Sequence, residues 1–338
     1  MTGLRRIGRI VFGTVLCTLA TTSVAHADPP APGDFRSEVV GVEPSSDGFT
    51  ARIIGGDSFL EITADEGVEI AVPGYRDEPY LRFEADGSVF ENQSSPTYFI
   101  NASRFGSSTP ADIGPDTPPD WVQVASDGSF AWHDHRTHWM SPTPPAGAEP
   151  GDEIVRDVVP ITVDGARVEI TVVSVWVPAP APFAVAGGLI VGAVLLAVLL
   201  TSRSRTLLLG AATGLGIAAL AVGVGEFRSL PAETGRSVTL WLLPATALLA
   251  VAIAALFGRR FGWVLERGLV AVAGVQLTIW AFRRSSALVS SVLPTDLPWW
   301  LDRFVSAAVL VGAPALTIAA VWPIVTAVAR PQREPVSV

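Results

Sequence analysis

The chain contains no lysine. Its 23 basic side chains are all arginine, outnumbered by 32 Asp and Glu, which leaves a formal charge of −9 over 338 residues. Most of the acids fall in the first half, and no basic face is clustered there. Nucleic-acid binding rests on neutralised phosphates, so no nucleic-acid partner is expected. Cysteine is nearly absent: Cys17 is the only one and lies in the N-terminal apolar segment. If that segment is removed the mature protein has no thiol, hence no disulfide, no Cys-ligated zinc and no thiol redox centre. Nucleophile motifs, paired acids in a defined setting and Gly-rich phosphate loops are missing too. Gly55-Gly56-Asp57 reads as a turn, and an enzyme is not expected.

What is present divides near residue 180. Before it, charges, Gly and Pro are dispersed among short apolar runs; after it, long stretches are almost wholly Ala, Leu, Val, Ile and Gly. Residues 1–27 read as a secretory signal, with Arg5, Arg6 and Arg9 as the charged region and an apolar core at 10–20 shorter than the roughly 20 residues that span a bilayer. A cut after Ala27 starts the mature chain at Asp28. A cut after Ala25 would instead expose His26, whose amine and imidazole together suit copper. Residues 28–36 form a Pro-rich linker.

Over 37–178 the pattern is that of strands. Alternating or β-branched runs occur at 37–42, 50–54, 59–63, 68–72, 80–84, 89–91, 97–100, 121–125, 130–137, 158–163 and 167–177, separated by turn signals. Asp164-Gly165 marks the strongest hairpin, because Asp-Gly suits the primed turns that match strand twist. No stretch carries helical periodicity. The expected fold is an all-β extracellular sandwich, Ig-like or cupredoxin-like, formed by antiparallel strands. Segments 103–120 and 141–152, rich in Pro, Gly, Ser and Asp, read as loops at its rim, where binding sites tend to lie.

Residues 179–182 link this domain to five apolar spans at 183–200, 207–224, 238–257, 264–282 and 304–329, an all-α membrane domain followed by a cytoplasmic tail at 330–338. With the sandwich outside, Arg203, Arg205, Arg259, Arg260, Arg330 and Arg333 fall on the cytoplasmic side, as the positive-inside rule prefers. The expectation is a multi-pass protein of the cell membrane with an extracytoplasmic N-terminal domain and membrane lipid around its helices. The spans hold no His, Met or Cys. Glu226, Glu266 and Arg267 read as interface residues reaching toward water, and Gln276 as a helix–helix hydrogen bond. Transport by this chain alone is disfavoured, since ionisable groups usually mark a membrane pathway. The loop 283–303 either lies on the membrane or packs under the sandwich.

Histidine is scarce and concentrated: three of four fall in Trp132-His133-Asp134-His135-Arg136-Thr137-His138-Trp139-Met140, with the only methionine besides the initiator. Neutral imidazoles ligate copper, zinc, iron and nickel, and a thioether biases a site toward Cu(I). On a strand through 130–140, His133 and His135 share a face. His138 has the wrong parity unless the strand bulges or ends near Ser141-Pro142. The expected metal ligands are therefore His133, His135 and His138, with Met140 as a further candidate and Asp134 as a carboxylate that fixes a ring tautomer. The competing reading makes Trp132 and Trp139 core residues, pairs Asp134 with Arg136 on the surface, and ties the imidazoles to loop backbone.

Together with Glu78-Pro79-Tyr80-Leu81-Arg82-Phe83 and Arg104-Phe105-Gly106, this stretch resembles actinobacterial exported membrane proteins that combine a β-rich ectodomain with a C-terminal membrane region. The likeness covers most of 37–178. It implies a place beside periplasmic copper-handling proteins, so copper is the first cofactor expected and zinc the second. Copper-binding sandwiches of that kind often begin with a histidine, whereas His26 here is lost if the signal is cut after Ala27. The expected function is metal handling or sensing by a membrane-anchored metal-binding protein. The alternative is a sandwich that docks an envelope or membrane protein partner without any metal.

Overall fold

The computed structural model describes residues 28–329. The expected signal segment, His26 and the tail at 330–338 lie outside the described residues. Ten strands come first: β1 (Phe35–Glu43), β2 (Phe49–Ile54), β3 (Phe59–Ala64), β4 (Ile70–Pro73), β5 (Pro79–Phe83), β6 (Val89–Asn92), β7 (Trp121–Ala125), β8 (Ser129–Trp132), β9 (Glu153–Val163) and β10 (Ala166–Trp176). A short helix, α1 (Pro96–Asn101), lies between β6 and β7.

Two antiparallel sheets pack face to face, one in the order β1-β10-β9-β4-β5-β6-β7 and the other β2-β3-β8. Side-chain alternation explains the sandwich. Val159, Ile161 and Val163 on β9, and Val168, Ile170 and Val172 on β10, are buried at every second position. They meet Phe49, Leu60 and Ile62 of the small sheet and Phe83, Leu81 and Val72 of the large one in a single apolar cluster. The β9–β10 hairpin turns at Asp164-Gly165, with positive φ at both residues (47° and 81°), the backbone a primed turn requires.

Two expectations fail here. The run at 97–100 is helical, because Ser95 caps the Thr97 amide at 3.1 Å and Pro96 sits at the first turn with φ already set for a helix. The strand expected over 130–137 stops at Trp132, and residues 133–140 are turns and irregular backbone.

Five long helices follow: α2 (Phe183–Thr201), α3 (Arg205–Arg228), α4 (Thr239–Phe261), α5 (Trp263–Arg283) and α6 (Trp299–Val328), each long and apolar enough to cross a membrane. The chain is thus a multi-pass membrane protein with a β-sandwich ahead of its helical bundle. Close packing depends on glycine: a Cβ at Gly188 of α2 would collide with the Phe304 carbonyl of α6, and one at Gly223 of α3 with the Leu240 carbonyl of α4. Gln276 donates to Thr246 Oγ1 at 3.0 Å between α5 and α4, the helix–helix bond its sequence position suggested.

The acidic residues do not reach for water as expected. Glu226 and Asp302 are buried and share Arg284, while Glu266 is buried against Arg205 at 2.7 Å. A carboxylate at a helix end finds an arginine on a neighbouring segment before it finds solvent, since pairing offsets part of the desolvation cost.

Sandwich and bundle touch through the loops at one end of the helices. Gly33 and Val292 exchange backbone hydrogen bonds at 3.1 and 2.8 Å, Asp34 accepts from the Ser291 amide at 2.9 Å, and Glu233 accepts from the Ala131 amide at 3.2 Å. The 284–298 loop therefore packs under the sandwich. Gly56 makes the approach possible: it holds a positive φ of 88°, and a Cβ there would strike Val292.

Candidate metal centre

The histidine stretch leaves the sheet because Asp134 turns it. Its carboxylate accepts from the Trp132 indole at 3.1 Å, the Arg136 amide at 3.1 Å, and Arg136 Nε and Nη2 at 2.8 and 2.6 Å. Its own carbonyl accepts from the Thr137 amide at 2.9 Å. A carboxylate that bonds the backbone two residues on competes with the sheet ladder and closes a turn instead. Asp134 is fully buried. Burial pushes its pKa up, but the adjacent Arg136 charge and donors outweigh this and hold it below the usual range. The pair is interior rather than on the surface, and none of the carboxylate's hydrogen bonds goes to an imidazole.

The turn brings all three rings together. His138 stands edge-on to His135 with 5.5 Å between centroids and to His133 with 6.4 Å. Parity along a strand ceased to matter once the strand ended. His133 stacks on Phe59 at 4.1 Å, and its Nδ1 faces the Ser58 carbonyl while Nε2 lies 3.2 Å from the Asp28 carbonyl. His135 Nε2 lies 3.0 Å from the Ser103 carbonyl and His138 Nδ1 lies 3.2 Å from the Trp139 carbonyl. His138 Nε2 is buried with no hydrogen-bond partner. Met140 is 37% exposed.

Each ring is held neutral. Burial is the largest cause of the lowered pKa at His133, His135 and His138; at His138, with the Arg104 charge adding to it, the value falls to about 3. Arg104 is itself matched by two hydrogen bonds to Asp57, at 2.9 and 2.6 Å. A neutral imidazole carries one N–H. At His135 the carbonyl-facing nitrogen is Nε2, toward Ser103, and at His138 it is Nδ1, toward Trp139, whereas both nitrogens of His133 face carbonyls, Ser58 and Asp28. At His135 and His138 the opposite nitrogen has no hydrogen-bond partner, an arrangement in which a carbonyl fixes the tautomer from behind; at His133 it faces the Asp28 carbonyl. Among the described residues, no group of three or more His, Cys, Asp or Glu side chains is already arranged to hold a metal ion.

Supporting residues came from places the sequence did not flag. Tyr75 accepts from the His135 amide at 2.8 Å and donates to Asn101 Oδ1, while the Arg136 guanidinium lies 5.0 Å from the Tyr75 ring centre. Gly55-Gly56-Asp57 is a turn, as expected, and it also delivers Asp57, Ser58 and Phe59 to the cluster. Arg104, noticed only as part of a short motif, is the residue that pins Asp57.

Fold and site define a class: a multi-pass membrane protein whose β-sandwich carries a buried imidazole cluster at one sheet edge. Comparison with protein-family models, with curated proteins and with solved structures gives no significant match, so no family is assigned.

Proposed function

We propose that the sandwich takes up one transition-metal ion on His133, His135 and His138, copper first and zinc second, and that the protein handles or senses that metal at the cell surface. The observation that carries this reading is the convergence of three rings in which His138 stands edge-on to both others and His135 and His138 each keep one nitrogen without a hydrogen-bond partner. With metal–nitrogen bonds of about 2 Å, imidazoles at tetrahedral or trigonal angles on one ion have centres roughly 5–5.5 Å apart; the His135–His138 spacing of 5.5 Å falls in that range, and the His133–His138 spacing of 6.4 Å exceeds it. Ligation then needs the rings to swing together and His133 to give up its contact with the Asp28 carbonyl. Met140, exposed on the same loop, is the candidate fourth ligand for Cu(I). The helices anchor this domain, and Arg203, Arg205, Arg259 and Arg260 at the far ends support an extracytoplasmic sandwich.

The test is titration of the full-length protein in detergent with Cu(I), Cu(II) and Zn(II), beside a variant with all three histidines changed to alanine. Stoichiometric binding that disappears in the variant is expected; equal, weak binding by both would overturn the reading. A second reading is favoured by His133, whose ring is buried, stacked and flanked by two carbonyls. In it the rings are internal struts of a sandwich that docks an envelope or membrane protein. The histidine variant would then lose stability and partner retention with no dependence on metal.

A further inference from the structure

Between β7 and β8 the two sheets part. β7 pairs only with β6, and β8 only with β3. The gap is a cavity of about 230 Å³, with α1 at one end and Glu233, from the segment joining α3 to α4, at another. Its walls include the aromatic rings of Tyr80, Tyr98, Phe130 and Trp132, and no arginine lines it.

Glu91 is what sets this cavity apart. It is 6% exposed and has one hydrogen bond, from the Tyr80 hydroxyl at 3.2 Å. Each of the other buried carboxylates among the described residues has a cation or a ring of donors. Asp57 has Arg104, Glu61 has Arg52, Asp134 has Arg136, Glu266 has Arg205, and Glu226 and Asp302 share Arg284. Glu78 accepts from Ser95 Oγ, from the Thr97 amide and hydroxyl, and from the Arg76 amide. Glu91 alone faces the cavity with no counter-charge, and Glu233 across it adds a second carboxylate, partly matched by the Ala131 amide. An unpaired buried carboxylate is costly unless something positive joins it. A second, separate observation points the same way: Asn101 lines the cavity, is 4% exposed, and its Nδ2 has no hydrogen-bond partner. That amide calls for an acceptor oxygen.

We infer that this cavity binds a small organic ammonium bearing a hydroxyl or ether oxygen, the amino-alcohol class. The ammonium pairs with Glu91 among the aromatic faces, which attract cations, the oxygen accepts from Asn101, and Glu233 adds negative charge to the cavity wall. Two sources share that chemistry: a free amino alcohol, and the ethanolamine headgroup of a phospholipid, within reach because the cavity lies where the sandwich meets the helical bundle. The inference does not rest on the metal proposal, although the two sites share His133.

The experiment uses the full chain in a non-ionic detergent, titrated calorimetrically with ethanolamine, choline and ethylene glycol as the neutral control. Saturable binding of ethanolamine and none of ethylene glycol are expected. Glu91→Gln should weaken ethanolamine binding about tenfold or more, as loss of a charge-assisted hydrogen bond does, and Glu233→Gln should weaken it less. Glutamine keeps the volume and an acceptor oxygen, so Glu91→Gln retains the Tyr80 contact and Glu233→Gln the Ala131 contact. Nanodiscs then separate the sources: competition by phosphatidylethanolamine but not phosphatidylglycerol supports the headgroup, and indifference to lipid supports the free amine. Absence of saturable binding, or equal binding by wild type and both glutamine variants, would overturn the inference.

Discussion

Arg284 donates from one guanidinium nitrogen to both carboxylate oxygens of Asp302, at 2.8 and 2.6 Å, and from the other to Glu226. All three side chains are buried where α3, α5 and α6 approach the sandwich. Removing the arginine strands two carboxylates in an interior that cannot solvate them. Arg284→Met should therefore cost about 3–5 kcal/mol. The triple variant Arg284→Met, Glu226→Gln, Asp302→Asn should recover most of that loss. Thermal unfolding in detergent measures both, and a single variant as stable as wild type would contradict the buried triad.

Tyr75 ties the histidine turn to α1. Its hydroxyl accepts from the His135 amide and donates to Asn101, so Tyr75→Phe leaves the buried Asn101 side-chain carbonyl and the half-buried His135 amide unmatched. The expected loss is about 1–3 kcal/mol of sandwich stability. Metal affinity should fall as well, because the turn that presents His135 loosens. Denaturant midpoints with and without zinc separate the two effects.

Much of the fold was legible in the sequence where signals are local. Asp164-Gly165 announced the hairpin, and apolar runs announced the five spans, because turn chemistry and bilayer length are written in consecutive residues. The α1 helix was not, since its six residues are too few for a 3.6-residue period to emerge and its cap, Ser95-Pro96, sits in a strand-like composition. At the candidate site the clustering of histidines was visible, but the way they cluster was not. Apolar alternation through Phe130 and Trp132 suggested continuing strand, whereas Asp134 captures the backbone and ends it. Pairings between distant residues were out of reach: Asp57 and Arg104 are 47 positions apart, and Glu226 and Arg284 are 58.

Glu91 gives the sandwich a pH dependence with a definite sign. Burial raises its pKa from the ordinary 4.5 to about 7. Between those values the folded protein keeps a proton that the unfolded chain has released. The carboxyl's contribution is therefore fully present below about pH 4.5 and is lost as pH rises through about 7. At about 1.4 kcal/mol per unit, the whole loss is roughly 3 kcal/mol. Glu91→Gln cannot titrate. Its stability advantage over wild type should grow from nothing near pH 4.5 to that full value above pH 7, read from urea midpoints at several pH values; a constant difference across the range would contradict it.

His138 discriminates between the two functional readings. Its Nε2 is buried without a partner, and its Nδ1 has only the Trp139 carbonyl at 3.2 Å. In metal-free protein the ring therefore gives up about as much as it gains, since an orphaned buried nitrogen costs about 1–3 kcal/mol and a neutral hydrogen bond returns about 1. His138→Leu should leave metal-free stability unchanged or raise it by about 1 kcal/mol. With metal the order reverses. An ion at a hundred times its dissociation constant stabilises wild type by about 2.7 kcal/mol, and the leucine variant, short of one ligand, gains far less. Melting curves in chelator and in excess Zn(II) test this directly. If metal moves neither curve and the leucine variant melts well below wild type in chelator, the ring is a structural strut.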